Sequence, residues 1–165
     1  MKEVVDKMKV LVMSDTHGRE RNVEKVLKRE GMPDYVLHLG DSEDSGAYLR
    51  GILTCPLEIV AGNCDFFCDL PKEIVTEIGG VRVLMAHGHC HFVALGLRDL
   101  AEAARANGCS VAMFGHTHRP LIEEVAGITV INPGSLSFPR QDGRRPSYIV
   151  MEVQDGRASY EIKYI

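Results

Sequence analysis

Five short stretches place side chains able to hold metals directly behind apolar runs: "SDTHG" (14–18), "LGDS" (39–42), "AGNCD" (61–65), "AHGH" (86–89) and "FGHTH" (114–118). They offer Asp15, His17, Asp41, Asn63, His87, His116 and His118, which are two carboxylates, one amide and four imidazoles. A mixed oxygen and nitrogen set suits borderline cations such as Mn²⁺, Fe²⁺, Co²⁺, Ni²⁺ or Zn²⁺ better than Mg²⁺ or Ca²⁺. Seven donors exceed what one structural zinc takes and fit two metals sharing a carboxylate. The i, i+2 pairs Asp15 with His17 and His116 with His118 are expected to project to one side of extended chain. Taken singly, each stretch also reads as an ordinary turn with an Asx bond or a glycine. The ordered set of five carries the metal reading.

The elements that must position these residues follow from periodicity. "MKVLVMSD" (8–15), "PDYVLHLGD" (33–41) and "CPLEIVAGNCD" (55–65) are aliphatic runs with polar carboxyl ends, the pattern of buried strands. Between them, "RERNVEKVLKRE" carries Val23, Val26 and Leu27 at helical spacing and is closed by Gly31, and "SEDSGAYLRGIL" reads as a short helix. This β-α-β-α-β start predicts a partly parallel sheet whose carboxyl-end loops collect chemistry. Further on, "KEIVTEIGGVRVLMAHGH" reads as two strands turned at Gly79-Gly80. A helix is predicted over 93–108, with Leu97, Leu100, Ala101 and Ala104 on one face and Gly108 as its stop. "SVAMFGHTHRP" is another buried strand, and two hairpins turn at Ala126-Gly127 and Asp155-Gly156. Arg140 to Arg145 reads as a polar, flexible loop, and the first seven residues as a loose extension or a start upstream of Met8.

With 165 residues, 45% hydrophobic and 25% charged, the chain is expected to form a single soluble domain, 1–165. No apolar run nears the ~20 residues that span a bilayer, and the charge-broken start is unlike a secretory signal. A formal charge of −4 argues against a sequence-independent binder of long nucleic acid. It leaves room for a small phosphorylated substrate, since bound cations can supply positive field locally. The five cysteines, an odd number without a CxxC, predict reduced thiols in a cytoplasm over a disulfide framework, a redox pair or a zinc ribbon.

The motifs Asp15-Thr-His17, Gly40-Asp41, Gly62-Asn63, His87-Gly-His89 and Gly115-His-Thr-His118 resemble, in order, the five motifs of the calcineurin-like metallophosphoesterases. The likeness runs from about Met8 to "NPGS" (132–135) and onward, so it covers nearly the whole chain. The short length, "GNCD" and "INPGSLSFPR" resemble in particular the small YfcE-like phosphodiesterases. The resemblance implies a four-layer α-β-β-α sandwich, an α/β fold of two mixed sheets face to face with helices outside. It also implies two divalent ions, Mn²⁺ first, with Ni²⁺, Fe²⁺, Zn²⁺, Co²⁺ or Mg²⁺ as alternatives. One ion would sit on Asp15, His17, Asp41 and His118, and the other on Asp41, Asn63, His87 and His116, with Asp41 bridging. The implied reaction is hydrolysis of a small phosphodiester by a metal-bridging hydroxide. Asp41, Asn63, Cys64 and His87 are then the catalytic candidates. An amide such as Asn63 ligates without adding charge, and its NH₂ can donate to the phosphate.

In many enzymes that this chain resembles, a histidine follows the motif asparagine and protonates the leaving oxygen. Here Cys64 stands there, followed by Asp65. A thiol with a pKa of ~8.5 is a weak donor, so activated aryl esters are the expected substrates, with plain packing as the alternative role for Cys64. Cys68 reads as structural or surface. His38 reads as a core or supporting residue, and His89, more than His91, as a pocket residue that meets substrate. Asn132 in "NPGS" could orient a ligand histidine. Arg140 is a candidate for bidentate contact to a phosphate or a solvated loop residue. Sequence shows no obvious cluster of basic groups, which tilts slightly toward diesters over monoesters. The rivals are a monoesterase or short-oligonucleotide nuclease on the same site, and a protein-binding scaffold resembling a retromer subunit. The aromatic tip Phe66-Phe67 is either a contact patch, including one for homo-oligomers, or a pocket wall.

Overall fold

The computed structural model describes residues 6–165. The expectation of a loose N-terminal extension falls largely on residues 1–5, outside the described residues. Among the described residues, ten strands form two sheets. In the first, β1 (Met8–Met13) pairs in parallel with β2 (Tyr35–His38), which pairs in parallel with β3 (Leu57–Ile59). The hairpin β9 (Ser147–Gln154) and β10 (Arg157–Tyr164) completes it, antiparallel on the other side of β1, giving the order β10-β9-β1-β2-β3. The second sheet has the order β4-β5-β6-β8-β7, built from β4 (Glu73–Ile78), β5 (Val81–Ala86), β6 (Val111–Met113), β7 (Leu121–Val125) and β8 (Ile128–Asn132). Strands β5, β6 and β8 are mutually parallel.

The period-2 alternation of the strands sorts their side chains into layers. Val10 and Val12 of β1 point inward and meet Val83 and Met85 of β5 and Met113 of β6 in the core between the sheets. Leu11 and Met13 point the other way and pack under Val23 and Val26 of α1 (Arg21–Glu30) and Leu49 of α2 (Ser45–Ile52). On the second sheet, Leu84, Ala112 and Val130 face outward onto Leu100, Ala101 and Ala104 of α3 (Arg98–Ala106). These three apolar clusters make the four α-β-β-α layers. Both faces of the central strands are therefore dry, which is why those strands read as continuous aliphatic runs, whereas β4, β7 and β10 keep exposed residues.

One element differs from expectation. The helix predicted from Val93 begins only at Arg98, because Phe92 adopts left-handed backbone (φ 52) and closes a short 3-10 turn over His89–His91. Val93 is apolar because it packs over Gly88, where a Cβ would come within 2.8 Å of the valine Cγ2.

The last residue of α1, Glu30, fastens that helix to the first sheet. Its buried carboxylate, 5% exposed, takes Lys9 Nζ at 2.7 Å, Lys163 Nζ at 3.0 Å and the Tyr148 hydroxyl at 2.7 Å. Burial pushes its pKa up, but the hydrogen bonds from Lys9, Tyr148 and Lys163 overcome that and hold it at about 2, below the ordinary 4.5. A depressed carboxylate stabilises the fold above its unfolded pKa, and that stabilisation is lost as pH falls from about 4.5 through about 2. Glu30→Gln is therefore expected to lower stability by about 2 kcal/mol at pH 7. In urea unfolding, the gap to the parent protein should narrow as the pH is lowered through that window. A gap of constant size down to the acid end would show that the Glu30 charge does not contribute.

Candidate metal centre

Strands β1, β2 and β3 end on one edge of the first sheet, and β5, β6 and β8 end on one edge of the second. Their carboxyl-end loops meet there. The first two loops are laced together: Asp15 N–H donates to Gly40 O (3.0 Å), His17 N–H to Asp41 O (2.9 Å) and Gly18 N–H to Ser42 O (3.1 Å). The loop after β6 joins them where His116 N–H donates to Asp15 Oδ2 at 3.1 Å. Such close approach needs small residues: a Cβ on Gly62 would run into Asp41 Oδ1, and one on Gly115 into Ser14 Oγ.

The i, i+2 pairs converge, but not through the extended chain expected from their spacing. Asp15, His17, Asp41, His116 and His118 all have left-handed backbone, with φ between 48 and 65. Extended residues would carry the loops outward from the strand ends, whereas left-handed ones curl each loop back over them. Each such non-glycine residue costs on the order of 1 kcal/mol or more.

The imidazoles share one pattern. His17 Nδ1–H donates to Glu43 Oε1 (3.0 Å), His87 Nδ1–H to Leu39 O (2.7 Å) and His118 Nδ1–H to Phe138 O (2.7 Å). Since every partner is an acceptor, each ring carries a proton on Nδ1 and turns its Nε2 inward, toward the carboxylates. His118 Nε2 lies 3.0 Å from Asp15 Oδ1, and His87 Nε2 lies 3.3 Å from Asp41 Oδ2. His17 Nε2 is 3.8 Å from both carboxylates. His116 likewise donates from Nδ1, here to Asn63 Oδ1 at 3.0 Å, and its ring stands 5.2 Å from that of His87.

A buried lone pair facing a buried carboxylate is repulsive unless a proton or a cation stands between them. Asp15 Oδ1, His17 Nε2 and His87 Nε2 are all buried with no hydrogen-bond partner among the described residues. Donor atoms within 4.8 Å of one another occur in three groups: Asp15, His17 and His118; Asp15, Asp41 and His87; and His17, Asp41 and Cys64. The overlapping groups share both carboxylates, and the residues present fit divalent cations. Asn63 and His116 stand beside them, hydrogen-bonded to each other.

The charges respond to this arrangement. Burial raises the Asp41 carboxyl, but the hydrogen bond and charge of His87, then the Cys64 N–H and His17, drive it well below the usual carboxylate range. Burial lowers His87, and Asp41 and Asp15 more than reverse it. Burial and the neighbouring His87 lower both His116 and His89. His38 is the contrast. Its Nε2–H donates to Thr16 Oγ1 (2.9 Å), its Nδ1 accepts from Gly40 N–H (3.2 Å), and burial depresses it to about 4. It is a neutral supporting residue with both nitrogens satisfied inside the protein.

Cys64 sits at the site and not in a core cluster. Its N–H donates to Asp41 Oδ1 (2.8 Å), and its Sγ lies 3.5 Å from Asn63 Nδ2. Burial, then the charge of Asp41, pushes the thiol to about 11. Cys68 is exposed and bonds only the Asp65 carbonyl. His91 pairs with Glu73 at 2.8 Å, whereas the His89 ring lies 5.5 Å from that of His87. Asn132 holds the loop of His116 and His118 by donating to Gly115 O and Thr117 Oγ1. Three contributors carried no sequence signal. Asp65 accepts from the N–H groups of Asp41, Gly62 and Glu43, and so ties the second loop to the third. Glu43 orients His17 from a loop that reads only as polar. Phe138 orients His118 through a backbone carbonyl, which no side-chain pattern reveals.

Comparison with known proteins agrees with this geometry. The calcineurin-like phosphoesterase superfamily domain matches residues 8–156. A Bacillus subtilis (strain 168) protein named probable metallophosphoesterase YsnB is 35% identical over 153 residues, covering 92% of this chain and 88% of its own length. A phosphodiesterase of Methanocaldococcus jannaschii is 30% identical over 145 residues, covering 77% of this chain and 83% of the relative. Among solved structures, a Streptococcus pneumoniae TIGR4 protein described as a predicted phosphoesterase aligns with a TM-score of 0.82 at 30% identity, over 98% of this chain and 91% of that one. Zinc-bound Vps29 of Entamoeba histolytica aligns with a TM-score of 0.76 at 26% identity, over 96% and 98%. With its five motif loops gathered on one edge of a four-layer sandwich, this chain belongs to the calcineurin-like phosphoesterase superfamily.

Proposed function

We propose that the protein is a two-metal phosphodiesterase acting on a small phosphodiester, with Mn²⁺ as the working ion and a cytoplasmic setting for its five free thiols. The observation that carries the reading is the set of buried bare donors, Asp15 Oδ1 with the Nε2 atoms of His17 and His87. Asp15, His17, Asp41 and His118 would hold one ion, and Asp41, Asn63, His87 and His116 the other. Bound there, divalent ions supply a Lewis-acidic clamp for phosphoryl oxygens and a nucleophile at neutral pH.

The chain's own residues set the rest. Glu43, Leu39 and Phe138 lock the imidazoles in the tautomer that keeps Nε2 free, so no reorganisation precedes binding. The Asn63 amide, whose Nδ2 lies 3.5 Å from Cys64 Sγ, would be able to donate to a phosphoryl oxygen. Cys64 occupies the position of a proton donor, yet a thiol held near 11 releases its proton reluctantly. A leaving group that departs as a stable anion then gains most. A second reading, a protein-binding scaffold like Vps29, is favoured by the aromatic tip, where Phe66 is 74% and Phe67 109% exposed.

Hydrolysis of an aryl phosphodiester and its monoester counterpart by metal-stripped protein, with Mn²⁺, Ni²⁺, Zn²⁺ and Mg²⁺ restored singly, distinguishes these readings. The expected result is metal-dependent turnover of the diester above the monoester. Asp41→Asn should lose one ion and about 10²-fold or more in rate. A folded protein that binds two ions and hydrolyses neither ester would favour the scaffold.

Cys64→His should accelerate esters with alkyl leaving groups by about 10- to 100-fold while changing aryl esters little. An equal effect on every leaving group would remove Cys64 from the proton-donor position.

A further inference from the structure

We infer that the site has a second anion-binding region, and that its substrate is a phosphoester bearing another phosphoryl group beside the scissile one. This rests on the phosphoesterase reading and extends it to the substrate class. In the sequence Arg140 and Arg144 share one loop with Asp142, and Arg119 lies about twenty residues before them. The fold brings them together.

On the His17 and His118 side of the centre opens a cleft of about 590 Å³ lined by those two histidines, Phe138 and Pro139, and the guanidinium-bearing Arg119, Arg140 and Arg144. No carboxylate lines it. The side chains of the three arginines make no hydrogen bond or ion pair among the described residues. All three are exposed, so their donors are free to meet a ligand, in a protein whose formal charge is −4. Local concentration of one charge sign against the overall balance marks a region built for an anion.

The region is hydrogen-bonded to the centre. Arg140 N–H donates to the His118 carbonyl at 3.0 Å, and Arg144 N–H closes a turn onto Gln141 O at 2.9 Å. Phe138 forms the floor. Its carbonyl holds His118 Nδ1, its ring meets the His17 ring at 5.3 Å, and Arg19 stacks on it at 4.4 Å. The loop from Arg140 to Arg145 is thus joined to one metal-ligand candidate, His118, and the preceding Phe138 touches both His118 and His17. An anion held by the arginines lies beside a group bound at the centre. Forked guanidiniums match the paired oxygens of phosphate better than a point charge does.

The test is calorimetric binding of propane-1,3-diol bisphosphate and of propyl monophosphate to the metal-loaded protein. The bisphosphate should bind at least about tenfold more tightly, since charge-assisted bidentate bonds supply roughly that much. In Arg140→Gln/Arg144→Gln, whose exposed side chains leave the melting temperature unchanged, the ratio should fall toward one. Equal affinities in the parent protein, or an advantage that survives the double substitution, would overturn the inference. Hydrolysis of an aryl propyl phosphodiester, which carries no second phosphoryl group, is measured in parallel. Turnover without a bisphosphate advantage removes the second region alone, whereas a bisphosphate advantage without turnover under any metal removes the phosphodiesterase reading and leaves the region standing.

Discussion

The rest of the site follows from one electrostatic constraint: inward-facing imidazole nitrogens meet buried carboxylates, an arrangement that is stable only with a proton or a cation between them. Asp15 is fully buried, and its Oδ1 has no partner among the described residues. Ser14 Oγ and the His116 N–H satisfy only its other oxygen. In a dry interior such a group is stable only if positive charge is supplied. The Nδ1 hydrogen bonds of His17, His87 and His118 make this a property of the fold, because they fix which nitrogen each ring presents. A cation thus completes an arrangement that the backbone has already committed to.

The backbone bears a cost for this. Five left-handed residues cluster at the donors, in loops held by Asp65, Asn132 and Ser135, which donates to the Asp15 carbonyl. Strain concentrated at one edge is tolerable because the central strands beneath are buried on both faces. The ion-paired Glu30 cluster on the outer face fastens a helix well away from the chemistry, so stability and function draw on separate parts of the molecule.

Much of this was legible in the sequence. The strands announced themselves as aliphatic runs, and the polar tips at their carboxyl ends located the chemistry before any strand order was known. Resemblance supplied the face-to-face sheets, which periodicity alone could not, since a buried strand looks the same in any sheet. The spacing argument for Asp15 with His17 and for His116 with His118 chose the right residues for the wrong geometric reason. What stayed hidden was what depends on tertiary contact. Glu43 and Asp65 look like loop carboxylates until the loops close, the Phe138 carbonyl has no residue-type signature, and Arg119, Arg140 and Arg144 form a group only once β6 and the segment after β8 come together. The helix start was misplaced because the segment after left-handed Phe92 stays in turns up to Arg98, although composition marks it as helical.

The most direct measurement is anomalous diffraction from crystals grown with Mn²⁺. Two manganese peaks are expected, one against Asp15, His17 and His118 and the other against His87, Asn63 and His116, with the Asp41 carboxylate touching both. A single peak that leaves His87 Nε2 bare, or manganese bound only elsewhere on the surface, would contradict the account.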